Sequence, residues 1–304
     1  MKEDFVFTGA DGINLHGTKY HSDSKRGVVQ VIHGMAEHRR RYEDFAGFLT
    51  DRGYSVYTYD QRGHGETASA NESHLGHFSH RRGWEKVVED ARRLTKLIRG
   101  EENGLPVFLF AHSMGSFIGR DYITRYGDGL GGAILSGTSM LDPFLLKIIT
   151  PIAKLEKLFR GKLSQSKVME KIIFSSNNRN VDEPDTKFDW LSRDEAIVEA
   201  YIEDELSGFG CTTGFYDDFI YGMKRVSDEK RYGRIPGDLP LLFISGEEDP
   251  VGGPIVEDLA QKYRGAGLRN LTCRVYPDAR HELINELNRG EVLEDLISWL
   301  DENG

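Results

Sequence analysis

Val107-Phe108-Leu109-Phe110-Ala111-His112-Ser113-Met114-Gly115 is an apolar run that ends abruptly in a small, polar turn. The run reads as a strand buried on both faces, because its successive apolar side chains leave no face for water. Beyond it Phe117, Ile118, Tyr122 and Ile123 recur at helical spacing, so Ser113 lies where a strand turns directly into a helix. A turn that sharp requires small residues two positions to either side of the serine, here Ala111 and Gly115, and it drives the hydroxyl out above the sheet. This is a nucleophile elbow, with alanine where glycine is usual. The backbone N–H of Met114, at the helix start, points at the same place and can bind a developing oxyanion. A serine before a helix is also an ordinary N-cap, so the motif needs support from the rest of the chain.

Outward from this point, apolar runs alternate with amphipathic helical patterns. Val28-Val29-Gln30-Val31-Ile32, Val56-Tyr57-Thr58-Tyr59 and Ala133-Ile134-Leu135 read as further strands. Tyr42, Phe45, Ala46 and Leu49, and then Trp84, Val87, Val88, Ala91, Leu94 and Ile98, read as helices covering them. This is the pattern of a mostly parallel sheet flanked by helices. It breaks after Ser139 and resumes at Leu241-Leu242-Phe243-Ile244, followed by the strand Thr272-Cys273-Arg274-Val275-Tyr276 and a helix through Val292, Leu296 and Leu300. The expected organisation is a core of residues 1–137 and 237–304 with a helical cap inserted at 138–236. Within the cap, Phe144, Leu145, Ile148, Ile149, Ile152, Leu155, Leu158 and Phe159 predict one long amphipathic helix.

A carboxylate and a histidine follow the last two strands. Glu247, Glu248 and Asp249 share one loop, and His281 lies in the next. The order serine, acid, histidine brings all three side chains to the edge of the sheet where the strands end. His281 would take the Ser113 proton and return it to the leaving group, and the acid would orient the imidazole. A second oxyanion donor is expected from the turn after the first parallel strand, His33-Gly34-Met35, where Gly34 lets the backbone approach a substrate carbonyl and the amide of Met35 points to it. Asp60-Gln61-Arg62-Gly63-His64-Gly65 is read as scaffold beside that turn. The scheme calls for no metal and no cofactor.

Composition narrows the setting. With 38% hydrophobic and 29% charged residues the 304-residue chain reads as a folded globular protein rather than a disordered one. A net charge of -10 argues against nucleic acid as a partner, since phosphate neutralisation needs a basic surface. Acids at the start of the chain, Glu3 and Asp4, speak against an export signal, and no apolar stretch approaches the roughly 18 residues that cross a bilayer. The two cysteines, Cys211 and Cys273, fit free thiols in a reducing cytoplasm.

Five ordered motifs together resemble one family, the α/β-hydrolases related to monoacylglycerol lipases and bacterial lysophospholipases. They are His33-Gly34-Met35 with Glu37-His38 and Arg41-Tyr42, Asp60 to Gly65, His112-Ser113-Met114-Gly115, Gly246-Glu247-Glu248-Asp249, and His281-Glu282. The resemblance implies eight strands with a helical cap over the serine, Asp249 as the acid, two-step acyl transfer to water, and single-chain lipid esters as substrates. Ala111 departs from the family's usual glycine, and the cap matches less clearly than the core. Alternatives for the same site are an esterase of small aryl or hydroxycinnamoyl esters and an acyltransferase; outside catalysis, the alternative is a ligand-binding protein on this fold. Residues 144–171 hold seven Lys or Arg against two Glu. Such runs are ordinarily solvated faces, and here the basic amphipathic helix also suits transient peripheral contact with anionic membrane or phospholipid headgroups.

Overall fold

The computed structural model describes residues 1–140 and 142–304. Its strands are β1 (Lys2–Thr8), β2 (Asn14–Tyr20), β3 (Gly27–Ile32), β4 (Tyr54–Tyr59), β5 (Val107–His112), β6 (Gly132–Ser136), β7 (Leu241–Gly246) and β8 (Leu271–Tyr276). They form one sheet in the order β1-β2-β4-β3-β5-β6-β7-β8, antiparallel from β1 to β4 and parallel from β4 to β8. β3 to β7 are buried along their whole lengths, which is why their sequences are apolar without alternation. The β1–β2 hairpin has no such run. As an edge, β1 exposes most of its residues and turns only Phe7 fully inward, so it carries the charged residues that edges tolerate.

Before the helical insertion come α1 (Glu43–Thr50), α2 (Gly65–Ala70), α3 (Gly83–Glu101) and α4 (Met114–Tyr126); within it lie α5 (Pro143–Arg160), α6 (Lys167–Phe174), α7 (Glu195–Glu203) and α8 (Thr213–Val226); after it come α9 (Ile255–Gly265) and α10 (Arg289–Asn303). Val88 of α3, Ile118 of α4 and Leu259 of α9 belong to the core on one face of the sheet. Phe45 of α1 and Leu296 of α10 fill the other.

The insertion leaves after β6 and returns before β7, so both of its roots lie beside the strand ends. Arg120, buried on α4, holds them together: its guanidinium donates to Ser139 O at 2.7 Å, to Val226 O at 2.9 Å and to the Tyr263 hydroxyl at 3.0 Å. Carbonyl dipoles rather than a carboxylate meet this charge.

α5 forms where its periodicity predicts, capped by the Asp142 carboxylate, which accepts the Phe144 N–H at 2.8 Å. Most of the apolar residues in that pattern stay uncovered. Phe144, Leu145, Ile148, Leu155, Leu158 and Phe159 are exposed, Ile149 is buried and Ile152 partly so. The helix seats on α8 through the narrow stripe Leu146, Ile149 and Ala153, whose spacing of three and four keeps one line of contact; Leu145 borders a cavity, and Ile148, Leu155, Leu158 and Phe159 are left exposed. Nine of the fifteen exposed large hydrophobic side chains among the described residues fall between Phe144 and Ile172, a patch rather than a scatter. Among the described residues no helix is long and apolar enough to cross a membrane.

Candidate active site

Ser113 sits between β5 and α4 with φ 52° and ψ -121°, a strained conformation for a residue with a side chain. The packing explains the small neighbours. A Cβ on Gly115 would come within 2.1 Å of Ile32 O, so no larger residue fits there. The Ala111 methyl is housed by Gly119 one turn into α4, where an added Cβ would lie 2.9 Å from it. The departure from glycine at 111 is thus met by a glycine at 119. Gly34 approaches the serine just as closely: a Cβ there would sit 3.2 Å from Ser113 Cβ and 2.6 Å from the Glu37 carboxylate.

His281 and Asp249 meet as the chain order predicts. His281 Nδ1 lies 2.8 Å from Asp249 Oδ1, and both are buried. The other Asp249 oxygen accepts the Ser245 hydroxyl at 3.2 Å, and the Val251 N–H donates to Oδ1 at 2.8 Å. Glu247 is exposed and instead accepts the Asp278 N–H, so distance separates the three acids of the loop. Burial disfavours the charged form of both partners, but their mutual attraction outweighs it: Asp249 is held below the usual carboxylate range and His281 above the usual imidazole value. His281 Nε2 is buried without a hydrogen-bond partner, and it lines the same cavity as Ser113. The Ser113–His281 link is therefore open in this conformation, as it often is before substrate is bound.

Met35 and Met114 both line this cavity, as the oxyanion reading requires. His33 and Gln61 brace the first of them. The Gln61 backbone N–H donates to His33 Nε2 at 3.0 Å and its side-chain amide to His33 O at 2.7 Å, the scaffold role expected of the 60–65 loop.

Glu37, Arg41 and Glu282 belong to the sequence motifs without a task that the sequence itself assigns. The structure joins them. Arg41 donates to Glu37 Oε2 at 2.9 Å and to the two oxygens of Glu282 at 2.7 and 2.8 Å, while Glu37 Oε1 accepts from the Gly34 N–H and from the Tyr42 hydroxyl. Burial alone would raise both carboxylates; Arg41 overrides it and holds them ionised. One guanidinium thereby ties the Gly34 turn to the residue after His281. Its removal would strand two buried carboxylates, a loss of about 3–5 kcal/mol in comparable buried pairs.

The insertion supplies contacts that no motif announced. The Trp190 and His112 ring centres each lie 4.8 Å from that of His281. The Trp190 and Leu191 carbonyls accept the N–H groups of His281 and Glu282 at 3.3 and 2.7 Å. Ala36, at φ 54°, has its carbonyl held by the Tyr201 hydroxyl and the Gly208 N–H, each at 2.9 Å. His38 pairs with Asp204 at 2.5 Å. No sequence signal marks these contacts, because each joins a core loop to an insertion residue more than ninety positions away. Burial pushes His112 down to about 4, leaving it a neutral packing partner.

The cavity has a volume of about 680 Å³ and is walled by Leu146, Ile149, Phe219 and Met223 from the insertion and by Phe117 from α4. Cys211 lines it too; it and Cys273 are free thiols. Among the described residues no group of three or more His, Cys, Asp or Glu is arranged to hold a metal ion.

Comparison with known proteins agrees with this geometry. The family described as serine aminopeptidase, S33, matches residues 23–288. A monoacylglycerol lipase of Mycolicibacterium smegmatis is 28% identical over 98% of this chain and 97% of its own. The crystal structure of a thermostable carboxyl esterase from Bacillus coagulans superposes with a TM-score of 0.91 at 30% identity, over 99% of this chain and 98% of its own. A lipase in its open form superposes with a TM-score of 0.88 at 27% identity, covering all of this chain and 99% of its own. The family description names a peptidase, whereas these relatives are named for ester cleavage. The chain belongs to this family of α/β-hydrolases, as a monoacylglycerol lipase-like serine hydrolase of carboxylic esters.

Proposed function

We propose that the protein hydrolyses single-chain lipid esters of the monoacylglycerol type, with Ser113 as nucleophile, His281 as general base and acid, and Asp249 as the group that orients the imidazole. Attack by Ser113 Oγ on the ester carbonyl passes its proton to His281 Nε2, and the tetrahedral oxyanion is received by the amides of Met35 and Met114. Collapse releases the alcohol with the proton returned by His281. Water then repeats the sequence on the acyl-enzyme and frees the fatty acid. Residues 138–236 act as the cap that shelters this chemistry. The observation that carries the reading is a buried His281–Asp249 pair opening onto an apolar cavity of about 680 Å³ that also holds the Ser113 elbow. Such a wall suits an acyl chain better than a small aryl ester. Turnover of p-nitrophenyl esters is expected to peak at octanoate or longer, with monoacylglycerols cleaved at comparable rates; an optimum at acetate, or at hydroxycinnamoyl esters, would move the substrate to small molecules.

The outward face of α5 and α6 is read as a transient contact with an anionic lipid surface. Leu155, Leu158, Phe159 and Val168 are exposed on the same helices as the exposed Lys147 and Lys154, which have no carboxylate partner among the described residues, in a chain of net charge -10. Apolar side chains with interleaved lysines are what an interfacial helix presents. Sedimentation with phosphatidylglycerol vesicles should fall at least about tenfold in the double variant L158E/F159E. Equal binding of the unsubstituted protein to phosphatidylcholine vesicles would show that charge plays no part.

A further inference from the structure

The catalytic cavity has apolar walls, and four exposed basic residues stand in its lining. Lys167 and Lys171 on α6, Arg179 on the 3-10 turn that follows, and Lys187 in the next loop all line it. None of the four is paired with a carboxylate among the described residues. Arg179 donates to a backbone carbonyl, Pro250 O, at 2.8 Å, and the Lys187 ammonium lies 4.7 Å from the centre of the Phe188 ring. On the adjacent helix, by contrast, Lys157 and Arg160 are paired with Asp217 and Glu156.

The acids of the same lining do not cancel this charge. Glu37 and Glu282 are both held by Arg41. Asp142 is occupied as the cap of α5, and Glu170 stands on α6 between the two lysines. Four bases therefore face two acids not already held by Arg41, on a protein whose overall charge is negative. A neutral glycerol headgroup makes no use of such bases. A phosphate does, because ammonium and guanidinium groups give it charge-assisted hydrogen bonds.

We propose that Lys167, Lys171, Arg179 and Lys187 form a headgroup subsite for a phosphate group, so that the enzyme prefers single-chain ester lipids bearing a phosphate over their neutral counterparts. The acyl chain lies in the apolar cavity, the ester at Ser113 and the phosphate at these four bases. This assignment rests on the ester-hydrolase reading above and adds the identity of the headgroup to it.

The test compares kcat/KM for 1-octanoyl-glycerol and 1-octanoyl-glycerol 3-phosphate, both kept monomeric so that no charged lipid surface enters. The unsubstituted enzyme should favour the phosphate substrate, and the preference should shrink with added salt because the four bases are exposed to water. In the double variant K171E/K187E the ratio of the two kcat/KM values should fall about tenfold. A ratio that stays within twofold of the unsubstituted enzyme's overturns the subsite, including the case in which both activities drop together. A second measurement does not depend on lipid turnover: glycerol 3-phosphate should raise KM for p-nitrophenyl butyrate, less so in the variant, and inorganic phosphate should do so more weakly. Inorganic phosphate acting as strongly as glycerol 3-phosphate would make the four bases a site for the free ion and overturn their role as a headgroup subsite. Failure to cleave either octanoyl lipid while p-nitrophenyl esters turn over would instead sink the lipid-ester reading, and the inhibition result would still decide the subsite.

Discussion

Ser113→Ala is expected to keep its fold and to lose turnover by about 10^6-fold, the scale seen when the nucleophile of a serine hydrolase is removed. The two halves of this expectation have separate causes. Without Oγ no acyl-enzyme forms, and only the cavity and the backbone donors remain to assist attack by water. Stability is spared because the Ser113 hydroxyl does not cap α4. Replacing the hydroxyl by hydrogen therefore breaks no hydrogen bond of the fold among the described residues, and a glycine at this position would relieve the strain of φ 52°. The measurement pairs p-nitrophenyl octanoate kinetics and fluorophosphonate labelling with urea unfolding of the same preparations. A variant that unfolds at the same urea concentration, takes no label and does not turn over meets the expectation. Labelling that persists in Ser113→Ala would move the nucleophile to another residue.

Asp249→Asn is expected to lower kcat by about 10^4-fold and to change the pH dependence of what remains. With His281 as the proposed base, the unsubstituted enzyme must hold it neutral to accept the serine proton, so kcat/KM is expected to rise with pH through the His281 pKa. Burial by itself would depress that pKa, but the Asp249 charge overrides it, which puts the midpoint above the ordinary imidazole value of about 6.5. Asparagine removes the charge and leaves the burial. The midpoint of the residual activity should then fall below that of the unsubstituted enzyme, while the plateau drops because the imidazole no longer has a carboxylate to hold its tautomer. A pH–rate profile of kcat/KM reads both. An unchanged midpoint would mean that Asp249 does not set the charge on the base.

The sheet was legible wherever burial on both faces erased alternation, as in β3 to β7, and the elbow was legible because its turn admits only small residues around Ser113. The β1–β2 hairpin was not, since an edge strand such as Lys2–Thr8 needs few apolar residues and hides among charged ones. Chain order narrowed the acid to one loop. Only the 2.8 Å contact with His281 separates Asp249 from Glu247 and Glu248. For α5 the periodicity gave the helix correctly but not its orientation, because an apolar sector wider than the stripe Leu146, Ile149, Ala153 does not say which flank meets a neighbour. Trp190 and Tyr201 carried no signal at all; their roles exist only once the insertion is folded against the core.

Arg120 grips the insertion near both roots chiefly by main-chain carbonyls, Ser139 O at 2.7 Å and Val226 O at 2.9 Å, with only longer contacts to two of its side chains, the Thr138 hydroxyl at 3.5 Å and the Tyr232 hydroxyl at 3.4 Å. A clasp whose short bonds read backbone, and whose longer ones reach only positions 138 and 232, is indifferent to what is written between its jaws. Residues 140–225 can therefore diverge in sequence without loosening the junction, and a lineage can exchange one substrate preference for another while the catalytic sheet stays as it is. In protein engineering the same property makes this segment a transplantable cartridge: a foreign insertion grafted between these two carbonyls inherits its anchorage from residue 120 of the host.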